Sequence, residues 1–183
     1  MANDQDIWVS NRRQPQFDEL RTALYNADRA ERELVGWADL WPDDIGFVLA
    51  PMNAWLSQML DFEKASVDLA RQTRAMSLER DMERLMAGWR PTAPDLADAP
   101  TIKPEAFTIE RPDSWLINLV GFVRNVPGGG PDRHRITSPV VAFDADRLKW
   151  VRTVSRFYRI DLASGVPRFS VDASNPTKSK DTS

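Results

Sequence analysis

The sequence predicts an α+β protein: an N-terminal helical module of two to three helices, followed by a small antiparallel sheet or SH3-like curled barrel. Three observations predict it. Up to residue 89 apolar residues recur at three- and four-residue steps, the period of a helix with one buried stripe. Beyond residue 105 the apolar runs become short, β-branched and aromatic, and are separated by Pro, Gly and Asp, which is the punctuation of strands. Between the two regions Pro91, Pro94, Pro100 and Pro104 each remove an amide donor and bias the preceding residue away from helix. The chain therefore divides into a helical module over 1–88, a proline-rich connector over 89–104, a β module over 105–170 and a disordered tail over 171–183.

The first helix is read from Phe17, with Leu20, Ala23, Leu24, Ala27, Ala30, Leu34, Trp37, Ala38 and Trp41 on one stripe and Pro42 as its stop. A second stripe runs after Pro51 through Met52, Trp55, Met59, Phe62, Ser66, Leu69, Thr73 and Met76. Its phase slips near Ser77. That residue reads as an N-cap for Leu78, Met82, Leu85, Met86 and Trp89, with Glu79 and Asp81 in the first turn and Gly88 and Pro91 as the stop. The region is three helices, or two with a kink near Ser77. The strand candidates are Phe107–Ile109, Trp115–Val123, Ile136–Phe143 and a single long strand from Trp150 to Ile160. Gly128-Gly129-Gly130 reads as a hairpin loop, and Asp144-Ala145-Asp146 as a turn.

Composition narrows the chemistry. The 183 residues include one His and no Cys, which excludes a disulfide framework, a thiolate nucleophile, Cys-ligated metal and a multi-histidine cage. No apolar run approaches the ~20 residues of a membrane helix, and the acidic, polar start Met1-Ala2-Asn3-Asp4 does not read as a signal peptide. A cytoplasmic protein with no membrane association is expected. The formal net charge of -3 conceals an asymmetry: residues 1–75 carry 8 basic and 13 acidic side chains, whereas 124–168 carry nine basic and four acidic. Eight of those nine are Arg, whose planar fork of donors suits carboxylate and phosphate.

The stretches Leu78–Gly88, Ala93–Pro100, Ile136-Thr137-Ser138-Pro139-Val140-Val141-Ala142-Phe143-Asp144 and Trp150-Val151-Arg152-Thr153-Val154-Ser155-Arg156-Phe157-Tyr158-Arg159 resemble an uncharacterised family of short bacterial proteins. That family carries a TS-P strand and an RT-x-SR-x-Y strand near the C-terminus. The resemblance covers residues 77–165 and implies no activity, cofactor or partner. Where the family pattern has a Gly-His-Pro turn after the first strand, this chain has Arg124-Asn125-Val126-Pro127 and a Gly-rich insertion.

The densest polar constellation is Thr137, Ser138, Arg152, Thr153, Ser155, Arg156 and Tyr158, joined by Arg135. Hydroxyls and guanidinium groups on adjacent strands can grip a carboxylate or phosphate; the competing reading is a solvated sheet face whose Arg stems cover Phe157 and Tyr158. His134 and Ser138, with Asp132 or Asp144, are the weak catalytic candidates, but Arg133 and Arg135 oppose protonation of His134, and no Gly-x-Ser-x-Gly elbow holds Ser138. The Gly-rich loop lacks the Lys-Ser/Thr and the helix of a phosphate cradle. Asp43-Asp44 and Glu31 with Glu33 are weak Mg²⁺ candidates, better read as solvated helix positions, so neither metal nor cofactor is expected. Of seven Trp, Trp37, Trp41, Trp55 and Trp89 lie on helical stripes; Trp150 shares a strand face with Val154 and Ile160, which argues for burial.

The resulting expectation is a non-enzymatic binding or regulatory protein whose Arg-rich β module engages a macromolecule. A protein partner is favoured over nucleic acid because the pI is about 5.3. The alternatives are a nucleic-acid-binding regulator and an enzyme acting on a phosphate-containing substrate. The helices over 52–88 are a candidate homodimer surface.

Overall fold

The computed structural model describes residues 17–36, 41–109, 115–128 and 130–161. Helix α1, Phe17–Val35, opens with Asp18 and Glu19, carboxylates suited to its positive end. It buries Leu20, Ala23, Leu24 and Ala27, as the periodicity requires. The helix stops at Gly36, whose φ of 67° favours glycine, rather than running on to Pro42. Leu34 is exposed, and Trp37 and Ala38 fall outside the described residues.

Strand β1, Ile45–Phe47, is three residues long and wholly buried. Helix α2, Ala54–Lys64, starts from Asn53, whose side chain accepts the amides of Trp55 and Leu56. Helix α3, Leu69–Met86, starts from Asp68, which accepts the Ala70 amide. The break thus falls at residues 65–68, and Ser77 lies inside α3. The expected kink at Ser77 is corrected for a physical reason: Leu69 and Met76 are 74% and 62% exposed, and the helix instead buries Ala75 ahead of Leu78, so the stripe through Leu69, Thr73 and Met76 is not the buried face.

Among the described residues seven strands form one open sheet in the order β1-β5-β6-β7-β2-β3-β4. The remaining strands are β2 Thr101–Ile109, β3 Ile117–Arg124, β4 Arg133–Ile136, β5 Val140–Asp144, β6 Trp150–Thr153 and β7 Phe157–Ile160. Every pair is antiparallel except β2 with β7. The α+β class is as expected; the sheet is larger than the three or four strands expected and does not close into a barrel.

Two features explain the difference. The connector supplies structure: β2 begins at Thr101 and passes Pro104 with a register shift between Pro104 and Ala106, which lets a residue with no amide proton sit in a strand. Ahead of it Leu96, Ala99 and Pro100 are buried. The expected single strand from Trp150 to Ile160 is a hairpin. Thr153 closes its turn by donating both its amide and its hydroxyl to the Arg156 carbonyl, at 2.9 and 3.0 Å.

The helical part and the sheet share one hydrophobic cluster, from Leu24 and Leu56 through Leu78 and Leu85 to Ile102, Phe143 and Val151. β1 comes from the helical part yet pairs with β5, with Ile45 opposite Asp144.

Candidate functional site

Arg152, the centre of the sequence-based constellation, is 1% exposed. Its Nε donates to an Asp81 carboxylate oxygen at 3.0 Å, and its Nη1 donates to the Thr153 carbonyl. Burial pulls its pKa below the usual value for an arginine, partly offset by Asp81. Arg152 therefore ties α3 to the middle of the sheet, and its assignment as a binding residue is corrected. Removing one partner of such a buried pair leaves an uncompensated charge, which costs about 3–5 kcal/mol.

The hydroxyl candidates are used internally as well. Thr137 is buried; its Oγ1 accepts the Leu119 amide at 3.0 Å, and its carbonyl accepts from Asn118 at 2.9 Å. Ser138 Oγ donates to Ser155 Oγ at 2.9 Å and accepts the Ser155 amide at 3.0 Å, pinning the β6–β7 turn to the segment before β5. Thr153 is fully buried and closes that turn. The TS-P stretch and the RT-x-SR-x-Y hairpin are thus fastened to each other.

No Ser-His-Asp arrangement forms among the described residues. His134 Nδ1 lies 3.3 Å from Glu105 and its ring packs edge-on to Phe122, while Ser138 faces Ser155. Asp132 accepts the Asn125 amide, and Asp144 accepts the amides of Asp146, Arg147 and Lys149. The acidic pairs are engaged too. Asp44 is held by Arg90, Glu33 by Arg29, and Glu31 accepts the Ala50 amide and the Asn53 side chain. Among the described residues no group of three or more His, Cys, Asp or Glu is placed to hold a metal. Likewise, no described helix is long and apolar enough to cross a membrane.

What the fold does bring together is Arg135, Arg156 and Tyr158. Burial pushes the Tyr158 phenol above its ordinary 10.0, while the charges of Arg156 and Arg135 both act to lower it. Arg156 is exposed in the β6–β7 turn. Arg135 is half-buried, and its Nε is shielded from solvent without a hydrogen-bond partner.

Arg133 shares the face of Arg135 on β4, where register sets Val123 opposite Arg133 and Gly121 opposite Arg135. At Gly121 a Cβ would collide with the Lys103 carbonyl, so only glycine lets β2 and β3 approach this closely. Arg124, at the end of β3, lies over the Phe122 ring at 5.5 Å. Among the described residues Arg124, Arg133, Arg135 and Arg156 have no carboxylate within ion-pair distance.

Arg124, Arg133 and Arg135 lie on β3 and β4 at the open end of the sheet, and Arg156 lies in the β6–β7 turn, whose Ser155 is tied to Ser138. The Thr137 amide bonds to the Leu119 carbonyl at 2.8 Å. Antiparallel alternation then turns Arg135 and Arg133 backbone groups toward β3 and those of Ile136 outward. Ile136 is 54% exposed. Sequence reading counted Arg124 and Arg133 in the basic strip without singling them out, and passed over Ile136; an apolar residue closing an Arg-His-Arg run was the available signal.

Comparison with family models, curated proteins and solved structures finds no match to this chain.

Proposed function

We propose that this chain is a non-enzymatic binding protein that takes up a protein partner at the β4 edge, where an acidic, extended segment adds a strand beside Arg133–Ile136. The observation that carries this is a terminal strand with exposed Ile136 and a cluster of guanidinium groups that no described carboxylate neutralises. Strand addition draws affinity from main-chain bonds and specificity from alternate side chains. Here Arg133 and Arg135 supply alternate positions on one face, with Arg124 at the end of the neighbouring strand β3. A pI of about 5.3 favours a protein partner over a nucleic acid.

The test uses the tagged chain recovered from its host. Ile136→Pro removes an outward amide while sparing the bonds to β3, a substitution that edge strands tolerate. Arg133→Glu with Arg135→Glu reverses the charge. Both variants are expected to keep the wild-type circular dichroism and unfolding midpoint and to lose a partner whose cross-links fall on 133–136. Undiminished recovery by both overturns the reading. Capture of nucleic acid instead, with affinity falling steeply as salt rises, replaces it with the nucleic-acid reading.

A further inference from the structure

A cavity of about 530 Å³ lies where the segment after Arg90 crosses the ends of β6 and β7, away from the β4 edge. We propose that it binds a small organic carboxylate with an apolar body. The volume falls within the range of small-ligand sites, which combine an apolar lining with a few placed polar groups. The lining meets that description. Leu96, Trp150 and Ile160 are buried core residues that show one side to the cavity, and Pro91 and Ala93 add to the apolar wall.

The charges in the wall are unequal. Three cations, Arg90, Lys149 and Arg159, face two carboxylates, Asp44 and Asp144. Asp44 is occupied by Arg90, which grips both its oxygens, and this bond holds the Asp44 carboxyl below the ordinary 3.8. Asp144 accepts the amides of Asp146, Arg147 and Lys149 at 3.2, 3.1 and 3.1 Å, so its oxygens are bound in the β5–β6 turn.

Lys149 and Arg159 are left without a carboxylate partner among the described residues. Arg159 Nε donates to the Ala99 carbonyl at 3.1 Å, which fixes the side chain and leaves both terminal amino groups to a ligand. A fixed guanidinium and an ammonium in the lining of the same cavity suit a carboxylate, since charge-assisted bonds of this type are short and strong. The surplus of one positive charge is met by a singly charged ligand, and the apolar floor takes its body. A neutral ligand of the same shape would leave the surplus unmet.

The probe is phenylacetate, with phenylacetamide as its uncharged counterpart, followed by amide chemical shifts in the ¹H–¹⁵N NMR spectrum of the full chain. Saturable shifts are expected at Lys149, Trp150 and Arg159, with a dissociation constant of about 1 mM, the affinity a ligand of this size reaches with a few good contacts. Phenylacetamide is expected to produce no saturation over the same range.

Lys149 is exposed and its side chain holds nothing in place, so Lys149→Glu leaves the fold intact; it is expected to weaken phenylacetate about tenfold or more, while Lys149→Arg preserves binding. Absence of saturable shifts, equal binding of phenylacetamide, or affinity unchanged in Lys149→Glu overturns the proposal. Ile136→Pro, which bears on the β4 edge, is expected to leave the phenylacetate titration unaltered, so the two sites fail or hold separately.

Discussion

The two ends of the sheet are treated in opposite ways. At β1, helix α1 lies along the outer side: Asp28 accepts the Phe47 amide at 2.8 Å and Arg32 at 2.8 Å, and Glu31 accepts the Ala50 amide at 2.8 Å. Backbone donors that would otherwise template another strand are consumed by side chains of the same molecule. At β4 no helix covers the strand among the described residues, and the protection is of another kind. The strand is four residues long and carries Arg133 and Arg135, so a second copy laid against it meets its own charge, whereas an acidic strand is attracted. One end is closed to all strands; the other discriminates by sign.

The largest effect sets the scale for both ends, because the Asp81–Arg152 pair anchors the centre of the sheet. Asp81→Ala is expected to lower unfolding free energy by about 3–5 kcal/mol in urea titration, and Asp81→Leu with Arg152→Met to recover part of it. At the closed end, Asp28→Ala strands the Phe47 amide and removes the Arg32–Asp28 bond, at an expected cost of about 2–3 kcal/mol. Light scattering of that variant is expected to show self-association, since β1 is then unguarded; a monodisperse variant would break the contrast between the ends.

Glu31 gives a smaller, pH-dependent effect. Burial holds its carboxyl above the ordinary 4.5, against the bonds from Ala50 and Asn53, and Asp28 adds to the rise. A raised folded value contributes stability that is fully present below 4.5 and lost as pH rises through that raised value. The wild type should therefore gain on Glu31→Gln as pH falls from neutral toward 4.5, read as a growing gap in urea midpoints. Asp44, shifted the other way, titrates below 3.8 and leaves that window undisturbed. Smallest is Arg133→Glu with Arg135→Glu at the open end, expected to change stability by less than about 0.5 kcal/mol.

Much of this was legible where a local pattern had a local cause. The α1 stripe from Leu20 to Ala27 follows from periodicity; Trp150 is buried as expected, although the strand face it was to share with Val154 and Ile160 is divided by the β6–β7 turn. What escaped has non-local causes. Ile45–Phe47 is too short to show a period and is a strand only because β5 lies beside it. The β6–β7 turn contains neither Gly nor Pro, since Thr153 does their work by hydrogen bonding. The basic strip was visible in a charge count, but Arg152 could not be separated from Arg156 without Asp81, 71 residues away in sequence. The cavity draws on separate segments around Asp44, Arg90, Asp144 and Arg159, so no single stretch announces it.

The pairing of Ile45 with Asp144 has a consequence for synthesis. When β1 leaves the ribosome, the strand it must join does not yet exist, and β5, β6 and β7 follow only after α2, α3 and the β2–β3 hairpin have emerged. Until then the buried residues of β1 pack on α1 and Trp41 without a strand partner, an interval in which a chaperone can hold them. Assembly waits on contacts this distant in sequence, which makes a slow final folding step the expected behaviour of this chain.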